Sequence, residues 1–526
     1  PPQLPPAASG TGRPSVPFAS QWSGGPGGNL PTFRVERICA PLVRDVLLGN
    51  GMRPTSGSDW SLLWSGPRLK EGTYEGMHEY QRVNHFPGGT ELTRKDRLWT
   101  HFNKWAHSCG EETFDFVPKS FVLPDQAERF KQHYGQAKGI WIVKPHASSQ
   151  GKGIYLLQDL SELPTSAKSV VCRYVDNPLL IQGLKFDLRI YVLVTSFDPL
   201  RAYVYREGLT RFASKSYSTK KEHLGDVYRH LTNYSINKHS PAFVPNRDKS
   251  GGSPLAGDGS RPSKWSFLEL RHYFKHHGLD YDALFARIED LIIKTLIAAE
   301  PAIRQAAAVA PESPLAEVPP GSRATTNCFE IYGFDVLVDS ALRPWLLEVN
   351  IHPSLRTDSP LDKRIKSQLV VDTLNLVGLR QPRDAAAAAG RGCRPHSRRG
   401  RLSGARARGA QDSASASPRT TAARLAGMSP GAAVASFTEH AWELVLDAYD
   451  EESRCGSLRR IFPSASAERY AVYFEEESFG NVVLRKWHEA GGGADLMSEQ
   501  AAQDPSGRSV AGREERLPPP PRSQRN

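Results

Sequence analysis

Two β-rich runs separated by one tight turn constrain this fold more than any other feature of the chain. "FDLRIYVLVTS" (186–196) alternates for half its length and then becomes fully apolar, as a strand does on entering the centre of a sheet. "RAYVYREGLTRFA" (201–213) follows directly after the turn pair Asp198-Pro199, so the two runs are predicted to form an antiparallel hairpin. "FEIYGFDVLVDSALRPWLLEVN" (329–350) reads as a second pair, two apolar runs joined by Asp339–Pro344. "GIWIVKP" (139–145) and "GIYLLQ" (153–158) are short strands flanking a polar turn. The clearest helix is "YDALFARIEDLIIKTLIAAE" (281–300), with Leu284, Ile288, Leu291, Ile292 and Leu296 on one face. Strands paired antiparallel and helices not regularly alternating with them make the class α+β.

With 526 residues the chain has room for two or more packed units plus tails. No stretch of about 18 apolar residues occurs, so no membrane-spanning helix is expected. The N-terminus is rich in Pro and Gly without a charged-then-apolar pattern, so no secretory leader is expected either. The six cysteines (Cys39, Cys109, Cys172, Cys328, Cys393, Cys455) are scattered and include no CxxC pair. That argues against a zinc knuckle or a disulfide scaffold and fits a reducing compartment. The net charge of +11 points to an acidic partner: nucleic acid, a membrane surface or an acidic polypeptide. Residues 381–430 carry ten Arg, no Lys and two acidic residues, and read as a basic linker. Beyond it, "HAWELVLDAYDEE" and "RYAVYFEEESFGNVVLRKW" both read as helical.

Four constellations carry candidate chemistry. The loop Ser148–Gly153 can turn backbone N–H groups toward a phosphate, with Lys144 on the preceding strand, or it is an ordinary β-turn. Glu348 and Asn350 share one strand face, and the hairpin can bring Asp335 beside them. Three oxygen donors among apolar neighbours suit Mg²⁺, which takes few carboxylates and lets phosphates complete its octahedron. The alternative is polar decoration of a half-exposed strand, although Trp345, Leu346, Leu347 and Val349 make this strand read as buried on both faces. Lys185, Asp187 and Arg189 share one face of their strand, lining either a charged cleft or a solvated sheet of ion pairs. Thr232, Asn233, Tyr234 and Ser235 in "HLTNYSINK" (230–238) either cap a helix or contact a ligand.

In this order, these segments resemble the tubulin-tyrosine-ligase-like family, in particular its polyglutamylase branch. The resemblance runs from about Trp64 to Gly378 and rests on "VNHFPG" (83–88), "RKDRLW" (94–99), "WIVKP" (141–145), "KFDLRIYVLVTSFDPLRAYVY" (185–205), "HLTNYSINK", "GFDVLVD" (333–339), "PWLLEVNIHPSL" (344–355) and "SPLD" (359–362). It implies an ATP-grasp fold and an ATP-dependent carboxylate–amine ligase adding glutamate to glutamate side chains of tubulin tails. Composition and the resemblance together give the expected layout: a disordered 1–30, an N-terminal domain at 31–118, a central ATP-grasp lobe at 119–205 and a C-terminal lobe with the metal site at 206–380 (the lobes as the resemblance implies), then an Arg-rich linker at 381–435, a helical extension at 436–490 and a disordered 491–526. Carried over residue by residue, Lys144, Gln150, Gly151, Cys172, Arg173, Tyr174, Val175, Lys185, Asp187, Thr232 and Asn233 would bind ATP. Arg211, Ser235 and Lys264 would bind free glutamate, Asp335, Glu348 and Asn350 would hold Mg²⁺, and Arg189 and Lys366 would be catalytic residues of the cleft. The chain departs from the family pattern at Gln150 (often Arg), Cys172 (usually Gln) and His352 (usually a small residue). Implied partners are tubulin or microtubules and free glutamate, with no membrane and no nucleic acid, for a monomer of the cytoplasm and cytoskeleton, the cilium or basal body being a candidate location. Rival readings are a glycine or tyrosine ligase of the same fold and a non-catalytic microtubule-binding protein. A nucleic-acid binder rests on the Arg-rich linker alone.

Overall fold

The computed structural model describes residues 31–67, 69, 72–74, 77–136, 139–145, 151–164, 168–246, 262–308, 327–379 and 417–492. The stretches read from sequence as disordered (1–30 and all but the first two residues of 491–526) and residues 381–416 of the basic linker lie outside them.

The N-terminal unit is a parallel sheet of β1 (Thr32–Glu36), β2 (Arg53–Pro54), β3 (Leu62–Ser65) and β4 (Arg82–Val83), in the order β2-β1-β3-β4. Helix Pro41–Gly49 buries Leu42, Val43, Val46 and Leu47 against it. A second, antiparallel sheet holds β5 (Ser120–Leu123), β6 (Trp141–Pro145), β7 (Tyr155–Leu157) and β8 (Ser169–Arg173), in the order β5-β8-β6-β7. Trp141, Phe121 and Phe130 of helix Ala127–Gln136 form its core.

The third sheet carries the expected hairpin. It contains β9 (Leu180–Ile181), β10 (Leu184–Phe197), β11 (Leu200–Phe212), β12 (Lys264–Ser266), β13 (Glu330–Val338), β14 (Pro344–Asn350) and β15 (Leu458–Phe462), with the path β12-β11-β10-β13-β14. β10 and β11 pair antiparallel down to Phe197↔Leu200 around Asp198-Pro199. The change of pattern along β10 now has a cause. Phe186, Leu188, Ile190, Val192 and Val194 join one core with helix Tyr281–Ala308. On the opposite face Tyr191 and Leu193 are covered by helix Pro360–Val377, whereas Lys185, Asp187 and Arg189 lie beyond that cover. Polar residues alternate only where the second face is uncovered.

The C-terminal part differs from its sequence reading in three places. Residues 418–435, read as the end of the linker, form helices Pro418–Ala426 and Pro430–Ala435, and Ser417 accepts a hydrogen bond from the Thr420 N–H to start the first. Ala422, Leu425 and Ala433 pack on helix Phe479–Glu489; small side chains suffice for that contact, so aliphatic periodicity gave no sign of it. The segment read as one long helix over 469–487 is a 3₁₀ turn, Ala467–Tyr473, and then a separate helix begun by the Ser478 cap. Between helices Glu439–Glu452 and Ala467–Tyr473 runs β15, which pairs with Ala202–Tyr205 of β11. β12 reaches only Leu209–Arg211, so the outer edge of β11 needs this second strand to satisfy its backbone. The extension at 436–490 is thus helical as read from sequence except for Leu458–Phe462, which joins it to the third sheet.

A buried carboxylate fastens it there. Glu451 accepts hydrogen bonds from Thr195 Oγ1 at 2.5 Å and Tyr203 Oη at 2.7 Å, and lies 3.5 Å from Arg201. Asn481 Oδ1 accepts the Leu200 N–H at 2.7 Å, closing the hairpin turn from the far side. Glu451→Ala leaves two hydroxyls and a guanidinium without their acceptor and is expected to cost about 3 kcal/mol in urea unfolding. A loss under about 1 kcal/mol would show that the extension is only loosely attached.

Candidate active site

β10 delivers alternate side chains to the uncovered face, and the register of its neighbours supplies their partners. Arg189 sits opposite Asp335 of β13, and Asp187 opposite Arg211 of β11. Arg189 donates to both Asp335 oxygens at 2.5 and 3.0 Å. Arg211 donates to both Asp187 oxygens at 2.8 and 2.5 Å and also lies 2.9 Å from Asp335. The result is a buried ladder of alternating charge, Arg189–Asp335–Arg211–Asp187. Of the two open readings of this face, the cross-strand ion pairs are present, but they are buried rather than solvated, and Lys185 and Asp187 line the cavity described below. Burial would raise the Asp335 carboxyl, but the two guanidiniums outweigh it and hold it well below the usual range.

β14 is not buried on both faces as its composition suggested. Leu346 and Val349 are buried, while Trp345, Leu347, Glu348 and Asn350 are half-buried. The register shift between Asp335↔Glu348 and Val336↔Leu346 leaves Leu347 as an extra residue. This bulge turns Leu347 and Glu348 toward the same side. Glu348 consequently faces the cleft, 2.9 Å from Lys95 Nζ, and Lys144 Nζ reaches the Leu347 carbonyl at 3.4 Å. Asn350 Nδ2 lies 3.3 Å from Glu348 Oε1 and 3.4 Å from Asp335 Oδ2, so the three oxygen-bearing side chains converge. Among the described residues no three His, Cys, Asp or Glu side chains gather as a ligand cluster, and this set holds two carboxylates and one amide. So sparse a donor set suits a hard cation that keeps water or phosphate as its other ligands.

One cavity between the second and third sheets gathers most of the residues singled out from sequence. Lys144, Gly151, Cys172, Arg173, Tyr174, Val175, Lys185, Asp187, Thr232, Asn233, Asp335 and Glu348 all line it. Gln150 lies outside the described residues. Gly151 has φ +77°, and a Cβ there would sit 2.5 Å from Ile236 Cδ1 and 3.0 Å from Asn233 Oδ1, so only glycine lets the loop approach. Asn233 occupies the N-cap position of the short helix Tyr234–Asn237 but makes no capping hydrogen bond. The capping alternative for this segment therefore fails at Asn233, whose side chain faces the glycine loop. Lys185 Nζ donates to Tyr174 Oη at 2.8 Å and stands 4.3 Å over its ring. Burial, opposed by Asp187 and aided by Lys144, lowers its pKa to about 7.

Six of the remaining residues form the wall beside this cavity. Arg189, Arg211 and Asn350 belong to the ladder and its edge, and Ser235 lies on the short helix Tyr234–Asn237. Lys264, opposite Arg211 in the sheet, and Lys366 share the fully buried Asp362 at 2.8 Å each. Sequence reasoning assigned no role to Asp362, Lys95 or His230, although each stands in a quoted motif ("SPLD", "RKDRLW", "HLTN"). The signal was there; what the motifs lacked was a partner.

The chain has relatives among known proteins. A model of the tubulin-tyrosine ligase family matches residues 74–386. A Mus musculus protein named tubulin polyglutamylase TTLL5 is 37% identical over 462 residues, which is 86% of this chain and 33% of that protein. Tubulin monoglutamylase TTLL4 of Homo sapiens is 36% identical over 439 residues, covering 82% of this chain and 35% of that protein. Tubulin polyglutamylase ttll-5 of Caenorhabditis elegans is 40% identical over 361 residues, 66% of this chain and 47% of that protein. The chain thus spans about a third to a half of the length of these relatives. The family match takes in the second sheet, every strand of the third sheet but β15, and every described residue of the cleft wall, which makes this chain a member of the tubulin-tyrosine ligase family, α+β and ATP-grasp-like in fold.

Proposed function

We propose that the chain is an ATP-dependent carboxylate–amine ligase that adds glutamate to glutamate side chains of tubulin tails. The observation that carries this reading is the meeting of Lys144, Lys185 and the Gly151 loop with Asp335 and Glu348 in one cleft. Phosphates need such cations and backbone donors. Asp335, Glu348 and Asn350 would hold Mg²⁺, whose charge would offset that of the triphosphate. The names of the relatives, polyglutamylase and monoglutamylase, support glutamate as the added group.

The chemistry follows from the poor leaving group of a carboxylate. An oxygen of the acceptor carboxylate attacks the γ-phosphorus and ADP departs, leaving an acyl phosphate. The amine of the incoming amino acid attacks the acyl carbon, phosphate leaves, and the nitrogen loses a proton. Lys144 and Lys185 would orient the triphosphate, Arg189, Arg211, Lys264 and Lys366 would hold carboxylates, and enclosure by the two lobes would exclude water. Arg211 favours glutamate over glycine, because a guanidinium matches a side-chain carboxylate that glycine lacks. It can meet a substrate only by loosening one of its two internal carboxylates. Incubation with microtubules, ATP and each of glutamate, glycine and tyrosine tests this directly. Glutamyl units on the tubulin tails with glutamate alone are expected by mass spectrometry; glycyl or tyrosyl products would replace the reading, and none with any would remove it.

The linker belongs to the same reading as an electrostatic tether for acidic tails. Since residues 418–435 are packed helices, the cut that isolates it is 381–416, which holds eight Arg and two acidic residues. Its deletion is expected to weaken microtubule co-sedimentation and flatten its salt dependence, while ligation of a short Glu-rich peptide is retained. An unchanged salt slope would make the linker a spacer.

A further inference from the structure

His230 lies outside the roles given above, yet its surroundings are unusually complete. It is 2% exposed and ends the short helix Val227–His230, whose start is capped by Asp226. Its Nε2 lies 3.0 Å from the His223 carbonyl, and its Nδ1 lies 3.0 Å from Tyr174 Oη. A carbonyl only accepts, so Nε2 carries the proton and Nδ1 is the acceptor. Burial lowers the His230 pKa, opposed by the His223 carbonyl and by Asp226 and aided by Lys185 and Arg229, which keeps this neutral tautomer. Burial also pushes the Tyr174 phenol well above its usual range, with Tyr217 and Asp176 adding to it, so Tyr174 keeps its O–H.

Donors and acceptors then fall into one order. Tyr174 gives its single proton to His230 Nδ1, which leaves only lone pairs facing Lys185. Lys185 must donate to them, and the ammonium form does so best. If Nδ1 stopped accepting, the Tyr174 O–H would be left with the Tyr217 hydroxyl, whose own proton goes to the Asp176 carbonyl, or with Lys185, and pairing with Lys185 needs a lone pair that only the neutral amine has. The other groups facing Lys185 are Asp187 on its own strand, Lys144 on β6 and the Tyr217 ring at 6.0 Å; the rings of Tyr174 and Tyr217 pack on His230.

We propose that His230 is a positioning residue that acts through the Tyr174 hydroxyl to hold Lys185 as a charged donor facing the cleft, an assignment that rests on reading the cleft as a nucleotide site. Lys185 titrates below its unfolded value, so bound triphosphate draws a proton onto it above about pH 7, and affinity falls as pH rises from there.

Two readouts on the full chain test this: binding of a non-hydrolysable ATP analogue with Mg²⁺ between pH 6.5 and 9, and the pH profile of trace acetylation at Lys185 read by mass spectrometry without nucleotide. His230→Asn keeps an acceptor near the Nδ1 position and is expected to stay within about twofold of wild type. His230→Phe and Tyr174→Phe keep ring volume and remove the acceptor or the hydroxyl. Both are expected to move the Lys185 midpoint down by about one pH unit and to weaken analogue binding at pH 7.5 about tenfold. Equal acetylation midpoints in all four proteins, or a His230→Asn variant as impaired as His230→Phe, would overturn the proposal. Should wild type not bind the analogue at all, the nucleotide reading falls, while the acetylation midpoints still decide the relay.

Discussion

Glu348→Gln is expected to extinguish ligation in a protein that melts like wild type. Glu348 is half-buried, and its strong partner, Lys95 at 2.9 Å, is also partly exposed, so the stability lost with that pair is at most about 1 kcal/mol. Glutamine keeps the length and one oxygen toward Asn350. What disappears is one of the two negative charges at the junction of Lys144, Asp335 and Asn350, where the proposed chemistry needs a divalent cation. Loss of a preorganised charge at a reacting centre typically lowers kcat by about 10²–10³. Asp335→Asn is the instructive contrast. Asp335 is buried between two guanidiniums, so this change is expected to cost about 3–5 kcal/mol in stability as well as activity. Normal ligation by Glu348→Gln sinks the metal assignment, and a shared loss of folding would show that the two carboxylates are equally structural.

Arg211→Ala should damage the fold before it reaches the substrate. Truncation strands Asp187, which loses both of its hydrogen bonds, and leaves Asp335 with Arg189 alone. An uncompensated buried carboxylate costs about 3–5 kcal/mol, to be read as an earlier urea midpoint. In the fraction that folds, KM for glutamate is expected to rise far more than KM for ATP, by an amount equivalent to about 2–5 kcal/mol. Arg211→Lys separates the two effects. A lysine keeps the charge and part of the stability, but it cannot bridge two carboxylates and a substrate with one fork. If Arg211→Lys restores the KM for glutamate in full, the guanidinium geometry is irrelevant and the preference for glutamate over glycine loses its main support.

Periodicity made the central hairpin legible, and with it the face that Lys185, Asp187 and Arg189 share. It could not say who stands opposite, because the two irregularities along the hairpin shift the register of β10 against β11, and β13 joins β10 from far along the chain. Hence Arg211 read as a free hand for a substrate, whereas it is held by Asp187 and Asp335. The Asp335, Glu348 and Asn350 grouping was readable from spacing, but the bulge at Leu347 that turns Glu348 into the cleft was not, since nothing local to "WLLEVN" announces an extra residue. Asp362 illustrates the same gap: a carboxylate in a helix's first turn usually serves that helix, and only the folded chain brings Lys264 to it. The strand Leu458–Phe462 does not read as β from sequence because the successive Arg459, exposed, and Arg460, tucked against Glu452 and the Ala448 carbonyl, interrupt its apolar pattern.

That last strand has a consequence for synthesis. β11 is exposed from the ribosome about 250 residues before Leu458–Phe462 appears, and until then Ala202–Tyr205 presents an open edge of hydrogen-bonding groups beside Tyr203 and Tyr205. The nascent chain must carry this unfinished border through the making of the C-terminal lobe and the linker. An early stop between the end of helix Pro360–Val377 and Leu458 would release a product whose cleft residues are all present but whose sheet has an unguarded margin, ready to pair with another copy of itself.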